Sequence, residues 1–294
     1  MSEQGLVLVS YGTQGIVERS DGARVSCSYR RSVGRPYCGD RVGLETAAAG
    51  DLVVSSIEPR TNVFVRADAR QRKQVVAANL DQAVIVVAPA PEPSRDLVER
   101  YLVAVHSLGI RPVIVLNKSE LALPDSDGNP LKRLGEYAEL GYPVIRSSCK
   151  GPPGTDVLQA ELEGRVSILV GQSGVGKSSL VNRLLPDLEL QTGDLSRVTG
   201  KGTHTTTTTI MYALPCGGRL IDSPGVWEYG LWTMSPQELE SGFTDFAPFL
   251  GHCRFNDCRH ETEPGCAIRD AVDKGAIKRW RYEAYLRLLK QSTA

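Results

Sequence analysis

Gly171-Gln172-Ser173-Gly174-Val175-Gly176-Lys177-Ser178 satisfies the pattern G-x-x-x-x-G-K-[ST] at every fixed position. Glycines at this spacing let the backbone curl until its N–H groups converge, and an ammonium and a hydroxyl follow at once. That combination suits the phosphates of a nucleotide. The amides and a helix N-terminus supply a favourable field, Lys177 reaches the β and γ phosphates, and Ser178, with Ser179 next to it, brings a hydroxyl to Mg²⁺. The apolar stretch Arg165–Val170 precedes the loop and a helical pattern from Lys177 to Leu185 follows it, the context such a loop requires.

Four further elements surround this loop in sequence. Asn117-Lys118-Ser119-Glu120 follows the apolar run Pro112–Leu116, at a strand end of the kind where α/β sheets bind ligands. It is similar to the N-K-x-D guanine motif, in which the Asn supports the base, the Lys stem packs on it and a carboxylate accepts from guanine N1 and N2. Glu120 stands in place of Asp, so guanine selectivity rests on a carboxylate carried one methylene further out. Ser147 and Ser148, in Arg146–Lys150, resemble the S-A-K element, whose backbone N–H meets guanine O6. Asp222-Ser223-Pro224-Gly225 resembles D-x-x-G: Asp222 would hold Mg²⁺ through a water and the Gly225 amide would meet the γ-phosphate.

Between loop and D-S-P-G lies Gly202–Thr207, where a switch threonine belongs. Thr206 is favoured as its Mg²⁺ ligand, then Thr205. His204 is a candidate to orient the attacking water, the plain alternative being a surface loop histidine. Val226 stands where many GTPases carry a water-orienting Gln. Hydrolysis is therefore expected to be slow unaided and to need a partner that orders the switches. Conventional GTPases run P-loop, switch Thr, D-x-x-G, N-K-x-D, S-A-K. Here the last two come first, so the cyclic order is kept and the starting point has moved.

Cys253-x4-Cys258-x-His260-x5-Cys266 presents three thiols and one imidazole, a set suited to one tetrahedral structural Zn²⁺. Buried free thiols are the alternative, and His252 is a competing ligand. Basic residues gather along the C-terminal helix, including Lys278, Arg279, Arg281 and Arg287. Others, Arg30, Arg31, Arg35 and Arg41, lie near Tyr29 and Tyr37 in the N-terminal region. Both groups suit nucleic-acid contact or an ordinary solvated face.

The elements that must carry these residues change texture along the chain. Short strands dominate the first part: Thr13–Arg19 and Ala23–Arg30 flank the hairpin signal Asp21-Gly22, followed by Arg41–Leu44 and Leu52–Ile57. An OB-type barrel is expected, with a β-rich dimerisation or lid domain as alternative. From Asp81, strands (Ala83–Ala88, Pro112–Leu116, Pro143–Arg146, Arg165–Val170) alternate with helices, one capped by Ser94 and running to His106 or Leu108, another at Leu131–Leu140. This predicts an α/β core on a mainly parallel sheet. A helix over Ala267–Lys290 is expected to close the chain. The domains predicted are 1–68, 69–230 and 231–294.

The 294 residues are 41% apolar and 23% charged, with 34 basic and 34 acidic side chains. That profile predicts a globular protein with no global pull toward nucleic acid or membrane. No apolar run approaches the ~20 residues of a membrane span, and Arg19, Asp21 and Arg24 interrupt any signal-like segment. The cytoplasm and a monomer are the expectations.

Taken together, Gly39–Val42, Ala78–Gln82, Asn117-Lys118, Gly171–Ser178, Gly202–Thr207, Asp222–Gly225 and Cys253–Cys266 resemble the ribosome small-subunit-dependent GTPase A family over nearly the whole chain. The resemblance implies an N-terminal OB domain, a circularly permuted GTPase core and a C-terminal zinc domain. It also implies binding to the 30S subunit and its 16S rRNA, action late in 30S maturation, and GTP hydrolysis to GDP stimulated by the subunit and coupled to release. Two other classes compete: a P-loop ATPase remodelling nucleic acid, which Glu120 keeps open, and a nucleotide-stabilised RNA-binding scaffold without turnover, to which Val226 lends support.

Overall fold

A computed structural model describes residues 3–47, 50–67, 73–188, 209–222 and 234–292. Strands β1 (Glu3–Tyr11), β2 (Gln14–Arg19) and β3 (Arg24–Tyr29) form a meander. Asp21 and Gly22 turn the second hairpin: Gly22 takes φ 82°, and the Asp21 carboxylate accepts from the Ala23 amide at 2.9 Å. With β4 (Arg41–Thr46) and β5 (Leu52–Ile57), the order β1-β2-β3-β5-β4 closes through β1–β4 pairing into the expected barrel. Alternation fills it, with Val7, Val17, Cys27, Val42, Leu44 and Val54 buried inside.

A hairpin of β6 (Val63–Ala67) and β7 (Lys73–Ala78) leads out of the barrel. Asn79, at φ 57°, donates from Nδ2 to the Gly39 carbonyl at 3.0 Å and accepts from the Thr61 amide at 2.9 Å. Gly39 itself lies at φ 92°, where a Cβ would strike the Ala78 carbonyl. The segments Gly39–Val42 and Ala78–Gln82 thus meet at the joint between barrel and core.

The core runs β8 (Gln82–Val87), α1 (Leu97–Ser107), β9 (Arg111–Leu116), α2 (Leu134–Glu139), β10 (Val144–Arg146), α3 (Asp156–Leu162), β11 (Val166–Val170), α4 (Lys177–Leu184), β12 (Ile210–Ala213) and β13 (Arg219–Asp222). Its sheet has the order β10-β9-β8-β11-β13-β12, parallel except for the β12–β13 hairpin. All six residues of β8 are buried, as a strand covered on both faces requires. The barrel joins this sheet edge through β1: Val9 pairs with Ile210, and Ile210 pairs in turn with Asp222. One rung therefore crosses three strands from barrel to Asp222.

The C-terminal part contains α5 (Pro236–Gly242), a 3₁₀ turn Thr244–Phe249, α6 (Ala267–Asp273) and α7 (Arg279–Ser292). Ser235 and Glu238 cap α5 reciprocally. The single helix expected over Ala267–Lys290 is in fact two. Gly275 at φ 75° ends α6, its amide bonding the Val272 carbonyl at 3.0 Å while Ala276 bonds Ala271 at 2.8 Å, a Schellman stop. Ser94 does not cap α1, which begins at Leu97 after Asp96. The Asp96 carboxylate is taken instead by Arg287 of α7, at 2.8–3.1 Å. The helix expected at Leu131–Leu140 opens as a 3₁₀ turn over Pro130–Arg133, capped by Asn129, before α2.

Arg281 also leaves the basic surface assigned to it. It is fully buried, 2.9 Å from Asp245, with its guanidinium 4.4 Å from the Phe243 ring centroid. Buried Glu99 of α1, hydrogen-bonded by Tyr137, lies in the same charged cluster. These contacts fasten the C-terminal part to α1.

Candidate nucleotide and metal sites

The loop Gly171–Gly176 joins β11 to α4, and its backbone depends on glycine. Gly174 and Gly176 adopt φ 80° and 94°, which a side chain disfavours. A Cβ at Gly176 would also lie 2.5 Å from Asn117 Nδ2. Val175 is buried and pins the loop to the core, while Ser173, Ser178 and Ser179 are exposed. Lys177 curls back over the loop, with Nζ donating to the carbonyls of Gly171 and Gln172 at 2.7 and 2.9 Å. Asp222 ends β13, the parallel neighbour of β11. Burial raises its carboxyl above the ordinary range, and the nearby Lys177 ammonium offsets this in part.

Asn117 and Lys118, which lie far earlier in the chain, are tied to this loop. Asn117 Nδ2 donates to the Val175 carbonyl at 2.9 Å. Lys118 Nζ bridges the carbonyls of Gly174 and Ala90 at 2.7 and 2.6 Å. Asn117 Oδ1 is buried with no partner among the described residues, a free acceptor beside the loop. Glu120 is exposed next to Ser148, and the Ser148 hydroxyl, more than the charges of Lys150 and Lys118, holds its carboxyl below the usual range. The Ser148 oxygen accepts from the amides of Lys150 and Gly151, both at 3.1 Å. Ser147 is buried and its carbonyl accepts from Ser119 at 3.1 Å. The loops after β9, β10 and β11 thus interlock. The base-side residues fit a guanine, and the loop fits its phosphates with Mg²⁺.

His204, Thr206 and Gly225, with Thr205 and Val226, lie outside the described residues. Sequence reasoning overlooked two supports. The Gln172 side chain donates to the carbonyls of Pro91 and Glu92 at 3.0 and 3.3 Å, bracing the loop against the segment after β8. Asn117 likewise acts as a structural tie as well as a base-side group. Neither role has a local pattern, because each partner lies more than 50 residues away.

In the C-terminal part, the donor atoms of Cys253, Cys258, His260 and Cys266 lie within 4.8 Å of one another. His260 Nδ1 faces the sulfurs of Cys253 and Cys266 at 3.5 and 3.4 Å, and Nε2 faces Glu240 at 3.2 Å. A proton on Nε2 directed at the carboxylate leaves the Nδ1 lone pair for a metal. Glu240 had no sequence signal, being an ordinary acid on α5. Burial, then the adjoining thiols, push Cys258 up to about 12. Three sulfurs and one imidazole nitrogen so close together form a donor set that fits tetrahedral zinc. His252 lies outside this group. Tyr282 and Tyr285 of α7 anchor the loop through the carbonyls of His260 and Arg259, at 2.6 and 3.0 Å.

A phosphate-binding loop locked to an N-K motif, on a sheet whose strands have a shifted starting point, defines a circularly permuted P-loop GTPase. A family model described as RsgA GTPase matches residues 57–232. "Small ribosomal subunit biogenesis GTPase RsgA 1" of Vibrio vulnificus is 42% identical over 294 residues, 98% of this chain and 84% of that one. The RsgA of Chromohalobacter salexigens, of the same description, is 48% identical over 268 residues, 91% of this chain and 78% of that one. Among solved structures, YjeQ from Thermotoga maritima superposes with a TM-score of 0.81 at 30% identity, covering 100% of this chain and 99% of that one. YloQ, described as a circularly permuted GTPase, gives 0.76 at 25% identity, covering 100% and 96%. The chain belongs to the RsgA GTPase family.

Proposed function

We propose that the chain hydrolyses GTP to GDP on the small ribosomal subunit, late in that particle's assembly, and leaves when hydrolysis is complete. The observation that supports this is the lock between Asn117-Lys118 and the Gly171–Gly176 loop, with the Glu120 carboxylate following in the same N-K-S-E segment. The relatives' description as small ribosomal subunit biogenesis GTPases supports the partner.

In this reading the amides of Gly171–Gly176 and the N-terminus of α4, with Ser179 in its first turn, bind the phosphates. Lys177 exchanges its loop carbonyls for phosphate oxygens. Asn117, Lys118, Glu120, Ser147 and Ser148 hold guanine. Bound Mg²⁺ neutralises phosphate charge, with Ser178, Asp222 and Thr206 as its holders; His204 orients water and the Gly225 amide meets the γ-phosphate. Cys253, Cys258, His260 and Cys266 hold one structural Zn²⁺. The domains are 1–68, an OB barrel on 16S rRNA; 69–230, the GTPase; and 231–294, the zinc module. No helix among the described residues is long and apolar enough to cross a membrane, and a cytoplasmic monomer belongs to the same reading.

The test is GTP turnover with and without purified 30S subunits, with ATP as control. Stimulation confined to GTP is expected. Equal use of ATP would refute the guanine site, and GTP turnover indifferent to 30S would refute the partner.

A further inference from the structure

The phosphate loop and the base-side loops are tied by a segment that belongs to neither. It is Ala88–Ser94, which follows β8 and carries proline at positions 89, 91 and 93. Proline fixes φ near about −65° and lacks an N–H. With every second donor removed, the segment does not continue β8 as a paired strand, and its carbonyls stay open to donors from elsewhere.

Three of those carbonyls are taken by the nucleotide site. Lys118 Nζ, from the base side, donates to Ala90 at 2.6 Å. The Gln172 side-chain amide, from the phosphate loop, donates to Pro91 and Glu92 at 3.0 and 3.3 Å. The Pro91 ring lies against the same loop, where a Cβ on Gly174 would come within 3.3 Å of it. The Glu92 carboxylate extends the tie: it accepts from Ser126 Oγ and, at 3.2 Å, from Asn129 Nδ2. Both belong to the stretch that continues from Asn117-Lys118-Ser119-Glu120. Asn129 also donates to the Pro124 carbonyl at 3.3 Å and accepts from the Leu131 amide at 2.9 Å, which closes that stretch ahead of α2.

A nucleotide held by its phosphates on one side and its base on the other leaves only when the two sides part. Gln172 offers its backbone amide to the phosphates, whereas its side chain, like that of Glu92, is spent on the tie. We propose that the Gln172 and Glu92 side chains are positioning groups that set the rate at which guanine nucleotide leaves the site, by keeping the phosphate loop and the base-side loops together. This rests on the GTPase reading above and adds how release is controlled there.

The experiment uses the full chain and the variants Gln172→Ala, Glu92→Ala and Glu92→Gln. Release of fluorescent GDP is followed after a chase with unlabelled GDP, alongside GTP turnover across substrate concentration. Gln172→Ala is expected to speed release about fivefold, since two hydrogen bonds are lost at once. Glu92→Ala should speed it about threefold and raise KM by the same factor, with turnover at saturating GTP unchanged. That split follows because the lost bonds hold ground state and transition state alike. Glu92→Gln keeps an oxygen acceptor for Ser126 and Asn129 and should release as wild type does.

Unchanged release in both alanine variants would overturn the proposal. So would a Glu92→Ala protein whose saturating turnover falls as far as its KM rises, the mark of a damaged site. Release from Glu92→Gln as fast as from Glu92→Ala would also overturn it. If wild type holds fluorescent GDP no better than fluorescent ADP, the guanine reading fails, while the release rates of either nucleotide still decide the tie.

Discussion

A Cβ at Gly176 would lie 2.5 Å from the Asn117 side-chain amide, and its φ is 94°, so Gly176→Ala meets two obstacles. The left-handed backbone costs an alanine about 1 kcal/mol, and the methyl must push Asn117 off the Val175 carbonyl. Affinity for fluorescent GDP is expected to fall at least about tenfold, measured by titration. Glu120 belongs to the same scale. Its carboxyl is held below the usual value of 4.5, first by Ser148, and only the ionised form accepts from guanine N–H groups. A depressed pKa preserves the charged form as pH falls and loses it below that value. GDP binding should therefore persist to lower pH than an unperturbed glutamate would allow, and fall as the pH passes below the depressed value. In Ser148→Ala the drop should move to higher pH. A fall-off at the same pH in both proteins would show that Ser148 does not set this carboxylate.

At the scale of elements, α7 holds the C-terminal part to α1 through buried charge. Asp245→Ala removes the hydrogen-bonded partner of the fully buried Arg281 and leaves only the Glu99 charge nearby, and it is expected to cost about 3 kcal/mol in urea unfolding. Removing metal with a chelator should loosen Arg254–Gly265, whose fold rests on the four donors and two tyrosine bonds. Proteolysis there should speed up while α4 and its loop stay protected. The elements also show what local pattern can convey. The P-loop, the strand before it and the Asp21-Gly22 hairpin were legible because their causes lie within a few residues. The break at Gly275 was not, since charged residues keep helical spacing straight through it and one glycine outweighs them. Nor was the start of α1: Ser94 is a good cap by type, but Asp96 precedes the helix and is held by a residue 191 positions away. The cluster of Cys253, Cys258, His260 and Cys266 was legible from spacing, whereas Glu240, which faces His260, was not.

For the whole molecule, the permuted motif order announced the core, since each motif had to end a strand of one sheet. The way barrel and core share material was not announced. Leu8, Val9, Ile16 and Phe64 from the N-terminal strands belong to the same apolar cluster as the sheet and the C-terminal helices. Barrel and core are therefore expected to unfold in one calorimetric transition, and two resolved transitions would show that they are separable. The shared strand has a further consequence. Val9, Ile210 and Asp222 occupy one rung, so β1 behaves as a beam clamped at both ends and not as a hinge. A torque applied to the barrel is therefore expected to become shear along that rung, toward the carboxylate at its far end.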